Sequence, residues 1–266
     1  DGEHVYVTHI LARYQMPTTQ LERGWMNTNA LSVLDAASMS LVNTVLLDDV
    51  DLGGANPWAV ACTADGKSVC VTHAGTHEIS VIDRAALHDR LARAAAGERV
   101  TEVSSSAGDV PNDLSFLVGL RRRIKLAGNG PRGLWVDGAT AYATQYFTDD
   151  IAVVDLAAAN PAASAKRIEL GDAAPTPERL GERHFFDAAL CFQHWQSCGS
   201  CHPDARVDGL NWDLLNDGIG NPKNTKSMLL SHETPPAMSL GVRDGAEVAV
   251  RAGIRHIQFA VRPEED

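Results

Sequence analysis

Apolar and polar residues alternate in short runs through the first half of the chain, and the runs repeat. The first unit reads Asp1-Gly2-Glu3-His4-Val5-Tyr6-Val7-Thr8-His9 and is followed by Leu31-Ser32-Val33-Leu34-Asp35. The second reads Asp65-Gly66-Lys67-Ser68-Val69-Cys70-Val71-Thr72-His73, followed by Ile79-Ser80-Val81-Ile82-Asp83. The third reads Asp137-Gly138-Ala139-Thr140-Ala141-Tyr142-Ala143-Thr144-Gln145, followed by Ile151-Ala152-Val153-Val154-Asp155. Each unit is an Asp-Gly turn, a strand, a loop and a short strand closed by Asp. Asp-Gly between alternating runs is a strong hairpin signal. Pro57 to Ala61 and Pro131 to Trp135 read as the strands entering the second and third turns. The pattern predicts about four short strands per unit in a repeat fold. Residues 10–28 read as an inserted loop, and residues 84–110 as an Ala- and Arg-rich helical insertion beginning at Arg84. The repeat ends at Ala173-Ala174-Pro175-Thr176-Pro177, so the division falls into residues 1–174 and 175–266, each expected to hold its own core.

Composition narrows the partners. The chain has 266 residues, 44% hydrophobic and 21% charged, with a formal net charge of −11. That balance argues against nucleic acid and anionic membrane surfaces, and it permits docking to a basic redox protein. No apolar run approaches the length of a transmembrane helix. Of the five cysteines, Cys62 and Cys70 flank the turn at Asp65-Gly66. They either bridge or serve as small apolar residues of two strands, which geometry decides. His4, His9, His73, His77 and His88 read as surface or loop histidines, with His9 and His73 at equivalent repeat positions.

The chemistry concentrates in Cys198-Gly199-Ser200-Cys201-His202. C-x-x-C-H is the attachment signature of a c-type haem. Two thiols at this spacing can each form a thioether to one porphyrin, and the following imidazole then lies under the iron. Two other readings compete. Cys191, Cys198, Cys201 and His202 form a Cys₃His set for zinc, although adjacent ligands strain a tetrahedral site. A redox dithiol is expected beside a βαβ pattern, and none is visible. Haem c is attached outside the cytoplasm, so the haem reading implies a periplasmic or extracellular protein.

Two resemblances follow from these residues. The repeated units resemble blades of the YVTN-type β-propellers, over about residues 1–172, with His73 where that family often has Asn. Glu178-Arg179-Leu180-Gly181-Glu182-Arg183-His184-Phe185-Phe186-Asp187, the C-x-x-C-H motif, Lys223 to Met228 and Gly241-Val242-Arg243 together resemble the first haem domain of the bacterial di-haem cytochrome c peroxidase/MauG family. The chain departs from that family in having one C-x-x-C-H and in carrying Arg251-Ala252, with no Glu, where the family places its active-site acid. No catalytic residue is assigned for that reason.

The resemblances imply a mixed, multi-domain fold: a partial all-β propeller joined to a mostly α-helical cytochrome c domain. Three partial blades fall short of the four to eight in a closed ring. A longer chain or an assembly is therefore expected. The implied cofactor is one covalent haem c, with Cys198 and Cys201 as attachment points and His202 as proximal ligand. His256 leads as the second iron ligand, with His232 and Met238 as alternatives, while Met228 and His184 read as core and solvent-facing. Arg206 and Arg243 could fork onto haem propionates, and Trp212 and Trp195 could pack on the ring. The expected function is redox chemistry, either peroxidase-like with a small oxidant or electron transfer with a redox partner protein. The alternative is a propeller-based binding protein with an ancillary electron-carrier haem.

Overall fold

Short strand-forming runs separated by turns build three antiparallel meanders. In the computed structural model, which describes residues 2–18, 26–171, 174–215 and 218–260, β1 (His4–Ala12), β2 (Asn27–Asp35) and β3 (Leu41–Leu46) form the first sheet in that order. The second sheet is β4 (Pro57–Cys62), β5 (Ser68–His73), β6 (Glu78–Asp83) and, after helix α1 (Arg84–Ala95), β7 (Arg121–Lys125). The third is β8 (Pro131–Asp137), β9 (Thr140–Gln145), β10 (Asp150–Asp155) and, after the short helix α2 (Pro161–Ser164), β11 (Lys166–Glu169). First strands lie together, β1 beside β4 and β4 beside β8. The sheets thus stand side by side as blades in a propeller-like arrangement.

The residues that mark the repeat make its turns. Gly66 and Gly138 adopt φ of +68° and +55°, the left-handed region that a Cβ disfavours. The closing aspartates are turn and cap acceptors: Asp35 takes Ser38 N–H at 2.7 Å, Asp83 takes Ala86 N–H at 2.9 Å and Asp155 takes Ala157 N–H at 2.8 Å. Asp83 thereby caps α1, and the strand passes directly into the inserted helix.

Side-chain alternation buries the second sheet on both faces. Val69, Val71 and Ile82 point to one side, where Leu31, Val33, Val45 and Leu47 of the first sheet and Leu87 and Leu91 of α1 meet them. Cys70, Ile79, Val81 and Ile124 point to the other side, against Ala141, Ala143, Ala152 and Val154 of the third sheet. Small residues on the third sheet let the two sheets approach closely around the larger side chains. Cys62 and Cys70 are free, each in its strand, with Ala61 opposite Cys70 and Cys62 opposite Val69.

The expected loop at 10–28 is shorter. β1 runs to Ala12 and pairs with β2 from Asn27 onward, so the connection is 13–26, of which 19–25 lie outside the described residues. So do Asp172 and Ala173 at the expected junction, and 261–266.

Among the described residues the expected mostly α-helical cytochrome c domain is not present, and the fold class is corrected: the described chain is predominantly β. The described residues hold five short helices, the longest of twelve residues. After residue 174 come α3 (Pro177–Phe186), the single turn α4 (Cys198–Cys201), a two-residue ribbon of β12 (Asn211–Trp212) and β13 (Lys223–Asn224), and α5 (Ala246–His256). Prolines 203, 222, 235 and 236 and left-handed residues such as Asp204, Leu215, Leu230 and Met238 keep the intervening chain irregular. Nor does this part keep to a core of its own: Cys191 and Trp195 are buried in one cluster with Ala30 and Leu46 of the first sheet.

Truncating the shared core should be costly and truncating the surface should not. Leu31→Ala is expected to destabilise by about 2–5 kcal/mol, and Val118→Ala, whose side chain is 63% exposed, by under about 0.5 kcal/mol. Urea midpoints at constant m-value measure both.

Candidate functional site

The C-x-x-C-H segment sits on a polar platform supplied by loops of the first and second sheets. Its base is Asp48, which is wholly buried. The Asp48 carboxylate accepts from Asn29 N–H, from the Asn29 side-chain amide and from Gly54 N–H, each at 2.7 Å. That fixes Asn29, whose side-chain amide also donates to Trp195 O at 3.0 Å and whose carbonyl accepts Asn56 N–H at 3.0 Å. Asn56 in turn donates to Ser197 Oγ and accepts from Ser200 Oγ–H, both at 2.7 Å. Ser197 N–H donates to Ser200 Oγ at 3.0 Å, a reciprocal cap that sets the single turn of α4. Gly53 completes the contact. A Cβ there would stand 2.3 Å from His194 O, and its N–H donates to Gln193 O at 2.7 Å.

Each thiol has a neighbour from a distant segment. The Asn27 side-chain amide donates to Cys201 Sγ at 3.1 Å and to Gln196 Oε1 at 3.1 Å. Gln258, buried after α5, places its side-chain amide 3.3 Å from Cys198 Sγ. In the orientation that satisfies both ends, it donates to Leu190 O at 3.0 Å and accepts Cys198 N–H at 3.1 Å. Burial pushes the Cys201 thiol up to about 12 and raises Cys198 as well. Both stay protonated at neutral pH, which is the opposite of the depressed thiolate that a redox dithiol needs. The Cys₃His zinc set is not assembled either: among the described residues no three His, Cys, Asp or Glu side chains gather as metal ligands.

His202 is oriented by the turn that follows it. Its Nδ1 lies 3.3 Å from Arg206 O. A carbonyl only accepts, so the proton is on Nδ1 and the lone pair on Nε2, the tautomer a metal-binding imidazole needs. It is the Arg206 backbone that makes this contact; its guanidinium is on the exposed surface. Arg243 is half-buried, with its backbone bridged to Ala237 and its Nε without a hydrogen-bond partner. Trp212 is buried, donating from Nε1 to Asp208 Oδ2 at 2.8 Å, with the Tyr14 ring edge-on. His232 is exposed beside Glu233 at 3.5 Å, and Met238 is 49% exposed. His256 is the exposed last residue of α5, two residues before Gln258.

Residues 203–260 have few apolar partners of their own. Among their described residues, Trp212 is the one buried hydrophobic side chain, and no residue of α5 is buried. Leu229, Leu230, Val242, Val248 and Val250 are all exposed. The segment therefore presents exposed apolar side chains rather than a core of its own.

A cavity of about 420 Å³ opens where α3 meets the third sheet. The Arg132 guanidinium stacks between aromatic rings there, 4.4 Å from the Trp58 centroid, 4.2 Å from Tyr146 and 4.7 Å from Phe186. These cation–π contacts fasten α3 to the sheets.

The sequence pointed to Cys198, Cys201 and His202 but not to Asn27, Asn29, Asp48 or Asn56, which carry no motif. The Asn56-Pro57 pair marked a turn and nothing more. The surface reading of the histidines is corrected for His73 and His77, which are buried. His73 donates from Nδ1 to Gly54 O at 2.7 Å and accepts at Nε2 from Ser80 at 2.8 Å. His9 makes the equivalent contact to Ser32 at 2.8 Å, so the pair is a feature of the repeat.

Comparison with known proteins gives a different kinship from the one the motifs suggested. No protein-family model matches the chain. Hydrazine synthase subunit beta of Kuenenia stuttgartiensis is 25% identical over 156 residues, which is 58% of this chain and 38% of that protein. Hydrazine synthase subunit gamma of the same organism is 42% identical over 59 residues, 22% of this chain and 17% of that protein. A solved Kuenenia stuttgartiensis hydrazine synthase chain superposes with a TM-score of 0.50 at 22% identity, over 59% of this chain and 43% of that one. The chain spans less than half the length of the relatives it matches. The di-haem cytochrome c peroxidase/MauG resemblance is therefore corrected: the relatives are hydrazine synthase subunits, and the fold lacks the helical domain that resemblance implied. What stands is a propeller-like fold with similarity to hydrazine synthase subunits. No described helix is long and apolar enough to cross a membrane.

The platform carries opposing titrations. Burial raises the Asp48 carboxyl to about 6 and lowers the His73 imidazole to about 4. Asp48 contributes stability that is present below about pH 4 and lost as pH rises through about 6; His73 contributes stability that is present above about pH 6.5 and lost as pH falls through about 4. Each amounts to about 3 kcal/mol at about 1.4 kcal/mol per pH unit. Relative to wild type, Asp48→Asn should gain stability as pH rises from 4 to 6.5, and His73→Gln should gain it as pH falls over the same interval. Urea unfolding at half-unit pH steps reads both slopes.

Proposed function

We propose that this chain is a propeller-type binding scaffold of a multi-subunit redox assembly akin to hydrazine synthase, and that it carries one covalent haem c as an ancillary electron carrier outside the cytoplasm. The observation that carries this reading is the seating of C-x-x-C-H on the first two sheets through Asn27, Asn29 and Asn56. The attachment site is built from both parts of the chain, so a group held there would be fixed relative to the scaffold. The similarity to two subunits of one enzyme supports the assembly.

Haem c bound there supplies one-electron transfer at its iron. The residues divide the work. Cys198 and Cys201 would hold the group covalently, each through a thioether at its Sγ. His202 would hold the iron through Nε2, while its Nδ1–H is held by Arg206 O. Asn27 orients the Cys201 sulfur, and Gln258 orients the Cys198 backbone. Because Gln258 brings the end of α5 to Cys198, His256 would be the candidate, ahead of His232 and Met238, to hold the iron together with His202. The partner is a redox protein that meets the acidic surface of a chain with net charge −11.

Denaturing electrophoresis with haem staining is expected to show a band that resists acid–acetone extraction and disappears in Cys198→Ser/Cys201→Ser. His256→Ala should convert low-spin iron to high-spin and admit cyanide. An extractable haem, or none, overturns the carrier, and an unchanged spectrum in His256→Ala removes that ligand.

The assembly has its own test. Affinity isolation of the tagged chain from its native host should bring down subunits similar to those of hydrazine synthase, identified by mass spectrometry. Recovery of the chain alone under gentle conditions overturns the scaffold role.

A further inference from the structure

Two arginines share one group of aromatic rings and are satisfied to opposite degrees. Arg179 of α3 lies 4.1 Å from the Tyr146 centroid. Its Nη1 donates to Glu182 Oε2 at 2.7 Å, and its Nη2 donates to Tyr146 O. Arg132 lies 4.2 Å from the same ring and also packs on Trp58 and Phe186. Among the described residues it has no ion pair and no hydrogen bond, and its Nε and Nη2 are enclosed without a partner. Burial lowers the guanidinium pKa below its ordinary value, so the rings only partly replace the water it has lost.

The strand aims this side chain. The register of β8 shifts between Pro131 and Gly133, and that of β4 between Pro57 and Val60. The shifts leave Arg132 and Trp58, equivalent by repeat, without partners in their ladders. Arg132 thereby lines the cavity of about 420 Å³, with Tyr146, Phe185 and Phe186 as apolar walls and Glu182 and Asp204 as its carboxylates. Glu182 is already held by Arg179, and Asp204 is exposed. The cavity flanks the C-x-x-C-H turn. Asp204 and Ala205 follow His202 closely, and a Cβ on Gly199 would stand 2.5 Å from Phe186 Cε1.

We propose that this cavity is a carboxylate-binding site, in which Arg132 donates to a single carboxylate borne on an apolar body. Nη1, the nitrogen that is not enclosed, is the donor such a ligand meets first. The aromatic walls take the apolar body. Glu182 and Asp204 repel a second negative charge, which disfavours a phosphate dianion. Two sources carry this chemistry: a propionate of a haem on Cys198 and Cys201, or a free apolar carboxylate. The first source rests on the functional reading, and the second does not.

Benzoate is the probe, titrated by calorimetry into two folded haem-free samples of the full chain. One is wild type made in a cytoplasm, where haem c is not attached, and the other is Cys198→Ser/Cys201→Ser. Benzoate should bind saturably at one site, and neutral benzamide about tenfold more weakly or less. Arg132→Lys, with unchanged circular dichroism, should weaken benzoate about tenfold, because the ammonium lacks the planar donor set. Asp204→Asn should tighten benzoate severalfold, a gain that misfolding cannot mimic; Asn tolerates the φ of +51° there. The haem-loaded chain decides the source. Benzoate excluded from it assigns the site to a propionate, and Arg132→Gln then lowers the haem midpoint potential by removing a positive charge. Benzoate bound as before assigns the site to a free carboxylate. No saturable binding to either haem-free sample overturns the inference, as does binding indifferent to Arg132→Lys, or equal binding of benzamide or inorganic phosphate. A chain that never carries haem overturns the functional reading alone, since the benzoate titrations need no haem.

Discussion

A buried carboxylate with three N–H donors is the constraint on which the rest of this molecule turns. Asp48 is wholly enclosed, and an isolated charge there would be untenable without those donors. Satisfying it fixes Asn29, Asn29 fixes Asn56, and Asn56 fixes the serines that shape the turn of Cys198 to His202. A chain of neutral amides thus transmits the position of a strand end to the thiols more than 140 residues later in sequence. Few of these groups have spare hydrogen-bonding capacity, so the platform holds a single geometry rather than a set of near-equivalent ones.

The blades supply the second condition. The middle sheet is buried on both faces, and its β-branched and small residues alternate so that the same six-residue strand serves two interfaces. Arg123 closes the end of that sheet, reaching Asp49 at 2.8 Å and pairing with Glu78. Ionic contacts of this kind at the sheet end sit beside the platform and limit how far the loop at 49–54 can move.

Much of the β architecture was legible because its signals are local. Asp-Gly turns, closing aspartates and period-two alternation act within a few residues, and Gly66, Asp83 and Val71 do in the structure what their types imply. The C-x-x-C-H motif was legible for the same reason. The polar platform was not, because Asn27, Asn29, Asp48 and Asn56 are ordinary residues until the fold brings them to residues 195–200. The helical second domain was misread because short family-like strings, such as Gly181 to Asp187, fix neither helix length nor packing. Prolines and left-handed residues between those strings decided the outcome. Histidines equivalent by repeat were read as surface, whereas His73 is buried because Ser80 and Gly54 O satisfy both ring nitrogens.

Gly53 turns this packing into a restriction on sequence drift. Its backbone is not in the left-handed region, so conformation does not demand glycine there. What demands it is the carbonyl of His194 and the Cα of Trp195, 2.3 and 2.5 Å from where a methyl would stand. A single added carbon would therefore pry residues 194–195, and the C-x-x-C-H turn that follows them, from the sheets while leaving every motif in the sequence intact. Divergent copies of this chain that keep C-x-x-C-H but lose glycine at position 53 must hold the segment in some other way.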